Sequence, residues 1–238
     1  MSIKIQNIIL LVFTFYCISL FACKDKTNNS RHKDLFKTES MAILPDDSSQ
    51  VQSEFSFDLN IESDSERGSW QNPDLVIEKL GDLSGKIVAD IGSGTGYFTF
   101  PISRVAEKVL AIDIEQRYLD YIEDRKLELP MEQAEVIETR LTEENEPNLH
   151  TNEVDAILMV NVFYYLNDRT SYMNIVNNAL RENSILVLVD FKPGDLPVGP
   201  SENKIPSEDV IENLKSAGFK NIKLDLESLQ YQYIITAK

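Results

Sequence analysis

Apolar and polar positions alternate in blocks from about residue 70 to the carboxyl terminus. Short runs that are apolar throughout are separated by longer stretches in which apolar residues recur at helical spacing. Runs of the first kind are typical of strands that are buried on both faces of a parallel sheet. The expected strands are residues 86–91, 109–113, 134–137, 154–160, 184–191, 223–226 and 231–236. The expected helices are residues 74–80, 97–105, 116–129, 170–180 and 207–217, the last with Ser207 as its N-cap.

This alternation predicts an α/β fold with a mostly parallel sheet that is covered by helices on both faces. In open sheets of this kind, ligands bind beyond the carboxyl ends of the strands, at the point where the strand order reverses. We therefore look for functional residues at the carboxyl ends of the predicted strands.

The amino-terminal segment has a different pattern. Residues 8–22 form an apolar run, which is shorter than the roughly 20 residues that a membrane-spanning helix needs and fits a secretory signal. The run ends in Leu20-Phe21-Ala22-Cys23, which resembles the bacterial lipoprotein signal and implies cleavage before Cys23 and lipidation of that residue. Two alternatives remain open, an uncleaved anchor with a cytoplasmic domain, favoured by the cations that follow the run, and a buried element of the fold.

Residues 24–65 are polar and show no sustained period, which is typical of a tether. The chain therefore divides into a signal peptide (1–22), a lipidated cysteine with a tether (23–65) and a globular domain (66–238). The formal net charge is −16, and residues 66–238 carry 30 acidic and 17 basic residues, a net of −13. This charge excludes a nucleic-acid partner bound by phosphate neutralisation. Two cysteines and two histidines exclude a disulfide framework and disfavour a metal site.

A glycine loop follows the first predicted strand. Gly92, Gly94 and Gly96 stand at alternate positions, where they permit positive φ and the close approach of a ligand to the backbone. The spacing differs from the G-x-G-x-x-G of dinucleotide-binding folds, because Tyr97 stands where the last glycine would be. Asp113 ends the second strand, where an acid can accept hydrogen bonds from a ribose. Together they indicate a nucleotide-like ligand, although a plain tight turn and a helix-capping acid are alternatives.

The segment 88–98, VADIGSGTGYF, resembles the first motif of class I S-adenosylmethionine-dependent methyltransferases. Segments that resemble other parts of that family follow in order over residues 66–238, and they include 155–162, 189–194 and 217–219. The resemblance implies a Rossmann-like sheet of seven mostly parallel strands, with S-adenosylmethionine as the cofactor.

The resemblance also implies roles for single residues. Gly92, Ser93, Gly94 and Gly96 would border the cofactor, while Asp90 would help to hold its amino group and Asp113 its ribose. Glu143 would take the adenine amino group, and Asn161 would lie beside the sulfonium.

Histidines that are common in one branch of the family are replaced here by Phe163-Tyr164-Tyr165-Leu166. The two histidines of the chain fall in the tether (His32) and in a predicted surface loop (His150), so a histidine general base is disfavoured. Tyr164 and Tyr165 are the candidates for binding or orienting a methyl acceptor, and their alternative role is that of rim or core aromatics.

The sequence therefore predicts a membrane-anchored methyltransferase that acts on a small or lipid-like acceptor. The main alternative is a non-catalytic module that binds S-adenosylmethionine or a nucleoside and has lost its acceptor chemistry. A third, an NAD-dependent oxidoreductase, is disfavoured by the glycine spacing.

Overall fold

The computed structural model describes residues 64–238, apart from residues 201 and 203. The predicted signal peptide, Cys23 and nearly all of the predicted tether lie outside the described residues and stay predictions. None of the helices within the described part is long and apolar enough to cross a bilayer.

Seven strands form one sheet in the order β3-β2-β1-β4-β5-β7-β6. The strands are β1 (Ile87–Ile91), β2 (Lys108–Asp113), β3 (Ile137–Leu141), β4 (Val154–Val160), β5 (Leu180–Phe191), β6 (Lys223–Asp225) and β7 (Gln232–Ala237). Strands β1 to β5 pair in parallel, whereas β7 is antiparallel to both β5 and β6. The order reverses between β1 and β4, which confirms the predicted α/β sheet and places its switch point there.

The helices lie around this sheet. They are α1 (Asp64–Gln71), α2 (Pro73–Glu78), α3 (Thr99–Ile102), α4 (Gln116–Lys126), α5 (Met131–Ala134), α6 (Arg169–Ala179) and α7 (Ser207–Ser216), with one 3₁₀ turn at Phe163–Tyr165. On one face of the sheet, Met173 of α6 and Leu214 of α7 pack against Leu188 of β5. On the other face, Val76 of α2 and Ile102 of α3 pack against Val88. Both faces of the central strands are therefore covered, which explains why their sequences are apolar throughout.

Several predicted boundaries are wrong, and the third strand shows why. The apolar pattern places it at 134–137, but Ala134 ends helix α5 and the strand runs over Ile137–Leu141. β3 is an edge strand, so it tolerates Glu138 and Arg140, whose side chains form a salt bridge with each other. A search for continuous apolar runs misses such a strand.

Two helix predictions also need correction. The predicted helix 97–105 shrinks to the four residues of α3, because the glycine loop continues as turns up to Phe98. Ser207 is the first residue of α7 and not its N-cap, which is Pro206. The Ser207 hydroxyl donates to the carboxylate of Glu208 instead.

Candidate functional site

A cavity of about 700 Å³ lies at the carboxyl ends of the parallel strands. Its wall includes residues at the ends of four strands, Ile91, Asp113, Val160 and Phe191. The volume falls within the range of about 300–1,000 Å³ that is typical of small-molecule and cofactor sites. The cavity therefore lies where the topology of the sheet predicts a ligand.

The three glycines of the loop have three different surroundings. Gly92 (φ 72°) lies against Val162, the second residue after β4, and a Cβ at Gly92 would overlap Cγ2 of Val162. Gly94 (φ 51°) lines the cavity, and a Cβ there would meet no atom within 4 Å. Gly96 (φ 86°) faces inward, where a Cβ would lie 2.6 Å from the Phe100 ring. Only Gly94 thus leaves open space that a ligand can fill, while Gly92 and Gly96 permit close packing of the loop.

Asp90 lies beneath the loop and is 2% exposed. Its carboxylate accepts a 2.6 Å hydrogen bond from the Thr99 hydroxyl, which joins β1 to α3. Burial raises the pKa of Asp90 to about 6, against the opposing effects of the Thr99 hydroxyl and the positive charge of Arg67. Asp90, Ser93 and Gly96 are not part of the cavity wall. The structure therefore places these three residues behind the wall, whereas Gly92 and Gly94 form it.

Asp113 connects the loop to the cavity. One carboxylate oxygen accepts a 2.8 Å hydrogen bond from the Gly94 amide, and the other accepts a 3.0 Å bond from the Glu115 amide. Burial raises the pKa of Asp113, and the amides of Glu115 and Gly94 oppose that rise. Each oxygen of an ionised carboxylate has a further lone pair, so Asp113 can still accept from a pair of ribose hydroxyls.

The turn after β3 forms the same end of the cavity. Its exposed Glu143 and Glu144 line the wall, and the Thr142 amide donates to the Asp113 carbonyl oxygen at 3.0 Å. The structure thus brings Glu143 to the end of the cavity where Asp113 lies. Tyr118 of α4 also lines this end, and sequence reasoning missed it, although it follows Asp113 by about one helical turn.

Asn161 lies on the other side of β1, directly after β4. Its backbone has φ 60°, and its amide donates to the Val189 carbonyl oxygen at 2.9 Å. Its side-chain oxygen accepts a 2.6 Å hydrogen bond from Nε2 of Gln232. Asn161 lines the cavity, so the structure places it opposite Asp113 across the glycine loop.

The two candidate tyrosines differ in position. Tyr165 lines the cavity and is 70% exposed, whereas Tyr164 is not part of the wall. Their ring centroids are 4.7 Å apart. His150, the one histidine among the described residues, is exposed and also lies outside the wall.

Helix α1 closes the β5 end of the cavity, and the sequence pattern did not predict this helix. Arg67 and Trp70 line the wall, and the Trp70 ring lies 5.6 Å from that of Phe191. The Arg67 guanidinium lies 4.2 Å from the centre of the Tyr97 ring. Arg67, Trp70 and Gln71 stand three and four positions apart, which is the spacing that could have revealed one inward face of a helix.

Comparisons with known proteins agree with this geometry. A family model described as a methyltransferase domain matches residues 89–186, from β1 into β5. The chain is 27% identical over 183 residues to a tRNA U34 carboxymethyltransferase from Desulfotalea psychrophila, a match that covers 71% of this chain and 55% of that protein. The chain thus spans about half the length of the curated relatives it matches.

Solved structures share the fold. A SAM-dependent methyltransferase from Aquifex aeolicus superimposes with a TM-score of 0.67 at 23% identity, over 78% of this chain and 96% of that one. A structure named as a cyclase has a TM-score of 0.60 at 15% identity, over 71% of this chain and 80% of that one. These likenesses confirm the predicted class I fold, and the protein from Aquifex aeolicus is named as SAM-dependent. The described residues therefore have the class I methyltransferase fold, and residues 89–186 of them match a methyltransferase-domain model.

Proposed function

We propose that the protein is a membrane-anchored methyltransferase that acts on a small or lipid-like acceptor. The observation that carries the proposal is the continuity of the cavity, which extends from Asp113 of β2 to Phe191 of β5. One end offers a carboxylate and an open glycine to a nucleoside, and the other offers an aromatic wall to a second molecule. A site for methyl transfer needs both, because the reaction depends on holding two reactants in line.

The residues present fit the cofactor. The open space at Gly94, which a side chain would fill, can accommodate part of the cofactor. The remaining lone pairs of the Asp113 carboxylate can accept hydrogen bonds from its ribose. Glu143 would lie beside the adenine, and Asn161 beside the sulfonium and the amino-acid end that is attached to it. When bound, S-adenosylmethionine supplies a methyl group on a positively charged sulfur and leaves as a neutral thioether, so no acid is needed.

The protein's own contribution is then mainly positioning. Correct alignment of two bound reactants can lower a reaction barrier by about 7–11 kcal/mol. The cavity wall, as described, contains no histidine, so proton removal by a histidine is not part of the proposal. An acceptor whose lone pair is free at neutral pH suits this site, because it needs no base.

The charge of the domain supports an acceptor other than tRNA. The relative from Desulfotalea psychrophila is named for a tRNA substrate, but residues 66–238 of this chain carry a net charge of −13. Proteins bind nucleic acid through clustered lysine and arginine residues, whereas acidic residues outnumber basic ones in this domain. Trp70, Phe191 and Pro200 of the wall favour an acceptor with an apolar part.

The test is a titration followed by a turnover assay with the full chain. We expect S-adenosylmethionine to bind and NAD not to bind, and we expect a membrane extract to incorporate label from methyl-labelled cofactor. Binding without incorporation would support the alternative, a nucleoside-binding module, which the fold also allows because a cyclase shares it. Absence of binding would refute both proposals.

The membrane location rests on the amino-terminal sequence. Lipid chains attached to Cys23 would hold the protein at about 0.8 kcal/mol per buried methylene, and the tether would keep the acidic domain away from anionic lipid. We expect palmitate label on the unaltered protein in an envelope fraction and its loss in Cys23→Ser. An unlabelled protein that still sediments with membranes would favour the uncleaved anchor with a cytoplasmic domain.

A further inference from the structure

A chain of buried side-chain amides connects helix α1 to the cavity. Nε of Arg67 donates to Oε1 of Gln71, and Nε2 of Gln71 donates to Oε1 of Gln232 at 3.0 Å. Nε2 of Gln232 then donates to Oδ1 of Asn161 at 2.6 Å. Both glutamines are 0% exposed, whereas the residues at the two ends, Arg67 and Asn161, line the cavity.

The chemistry of Arg67 sets the direction of every bond in this chain. A guanidinium donates hydrogen bonds and cannot accept them, so Gln71 must turn its oxygen toward Arg67 and its NH₂ group toward Gln232. Gln232 must then turn its own oxygen toward Gln71 and its NH₂ group toward Asn161. Asn161 accepts with its oxygen, which leaves its NH₂ group for the cavity. The chain therefore fixes one of two possible orientations of the Asn161 amide.

The strand order indicates which part of a ligand meets this donor. Asp113 on β2 and Glu143 after β3 lie on one side of β1, and Asn161 after β4 lies on the other. A cofactor whose nucleoside lies beside Asp113 would extend across Gly92 toward Asn161 with its amino-acid end. At that end the carboxylate can accept hydrogen bonds, whereas the ammonium can only donate them and the sulfonium is a poor acceptor.

We propose that Gln71 and Gln232 are positioning residues, which hold the Asn161 amide with its NH₂ group toward the carboxylate of the bound cofactor. This inference rests on the proposed function, because it assumes that the cavity binds S-adenosylmethionine. Neither Gln71 nor Gln232 is part of the cavity wall. Their effect is to prevent the amide of Asn161 from turning over and presenting its oxygen to a negative charge.

The experiment compares two ligands on the full chain. S-adenosylhomocysteine has the amino-acid carboxylate, and 5′-methylthioadenosine has the same nucleoside and sulfur without it. By calorimetric titration, we expect Gln232→Met to lower the affinity for S-adenosylhomocysteine about tenfold, the usual effect of losing a hydrogen bond to a charged group. The affinity for 5′-methylthioadenosine should fall by less than about twofold. Gln230→Met, the same substitution at an exposed residue two positions earlier, should leave both affinities unchanged.

A double-mutant cycle separates positioning from general loss of packing. If Gln232 acts through Asn161, the double variant of Gln232→Met with Asn161→Leu binds S-adenosylhomocysteine no more weakly than Asn161→Leu alone. Melting temperatures report whether each variant folds, and Gln71→Met replaces Gln232→Met in the cycle if the latter does not fold.

Three results would overturn the inference: unchanged affinity for S-adenosylhomocysteine, equal weakening of both ligands, or additive effects in the cycle. Failure of the proposed function looks different, because then the unaltered protein binds neither ligand.

Discussion

The two ends of the cavity present polar groups to a ligand in different ways. At the β2 end, the groups are the glycine loop and the carboxylate of Asp113, which lie between residues 92 and 113 and bond to each other through the Gly94 amide. At the β5 end, they are the side chains of Arg67 on α1 and Asn161 after β4, which are connected through Gln71 and Gln232, two residues 161 positions apart. The first end is local and made largely of backbone, and the second is assembled from distant side chains.

This difference predicts different sensitivities. A backbone site is disturbed when a new side chain enters the space of the ligand or strains the loop, whereas changes in the surrounding side chains matter less. The chain of buried amides is disturbed when either glutamine is replaced, because each glutamine makes one hydrogen bond on each side. Substitutions at each end should therefore separate the two modes of binding.

The largest effect is expected at Gly94. Gly94→Val puts a branched side chain into the cavity at φ 51°, a conformation that valine adopts only with strain. We expect affinity for S-adenosylmethionine to fall more than about 100-fold by calorimetry, because the side chain occupies the ligand's space. The control is Gly81→Val, at φ 84° in an exposed turn outside the wall, where a Cβ would meet nothing within 4 Å. It imposes comparable strain, so equal loss of binding in both variants would argue against a ligand above Gly94.

The next effect is expected at Asp113. Asp113→Asn keeps the shape and one acceptor oxygen, but it removes the charge and turns an NH₂ group toward one of the two backbone amides that the carboxylate accepts from. We expect affinity to fall by about 10- to 100-fold, equally for S-adenosylhomocysteine and 5′-methylthioadenosine, because both have the ribose. This equality contrasts with the unequal effect expected for Gln232→Met. Asp120→Asn, an exposed change on α4, serves as the matched control, and a selective loss of one ligand in Asp113→Asn would contradict the assignment.

The β2 end could be predicted from sequence because its signals are local. A glycine loop between a buried strand and a helix, and an acid at the end of the next strand, follow from the geometry of parallel sheets. Strands β1, β2 and β4 were predicted from their apolar runs, which exist because both faces of these strands are buried.

The β5 end could not be predicted in the same way. Gln71 and Gln232 are isolated amides in sequence, and their contact depends on how β7 inserts beside β5 in antiparallel orientation. Helix α1 was missed because its first residues are as polar as the stretch before it. Tyr172 lines the cavity from a helix whose period is fully explained by the core, so nothing in the sequence marks it as a wall residue.

Two buried carboxylates, one on β1 and one on β5 near the two ends of the cavity, should make the free energy of unfolding depend on pH. Burial raises the pKa values of Asp90 on β1 and Asp190 on β5 to about 6, from 3.8. Between these two values the folded state holds more protons than the unfolded state, so the free energy of unfolding falls as pH rises from about 4 to about 6 and then stays level. A shift of this size corresponds to about 2–3 kcal/mol for each carboxylate.

Asp90→Asn should therefore reduce this decline by about 2–3 kcal/mol, as measured by urea unfolding at several pH values. The amide oxygen of asparagine can still accept from Thr99, so the link between β1 and α3 is kept. Asp124→Asn, an exposed substitution on α4, should leave the decline unchanged. An undiminished decline in Asp90→Asn would mean that the carboxylate is not the group that resists ionisation.

The smallest effect is expected at Tyr165, where the aromatic rim of the cavity meets solvent. Because 70% of this residue is exposed, its hydroxyl already has water as a partner, and Tyr165→Phe should change cofactor affinity by less than about twofold. In the turnover assay we expect kcat/KM to change by less than about threefold, since alignment of the reactants depends on the interior of the cavity. Tyr231→Phe, a substitution of a half-buried tyrosine outside the wall, is the matched control. A loss of 100-fold in kcat with unchanged cofactor affinity would instead place the Tyr165 hydroxyl in contact with the methyl acceptor, and the rim would then belong to the reacting part of the site.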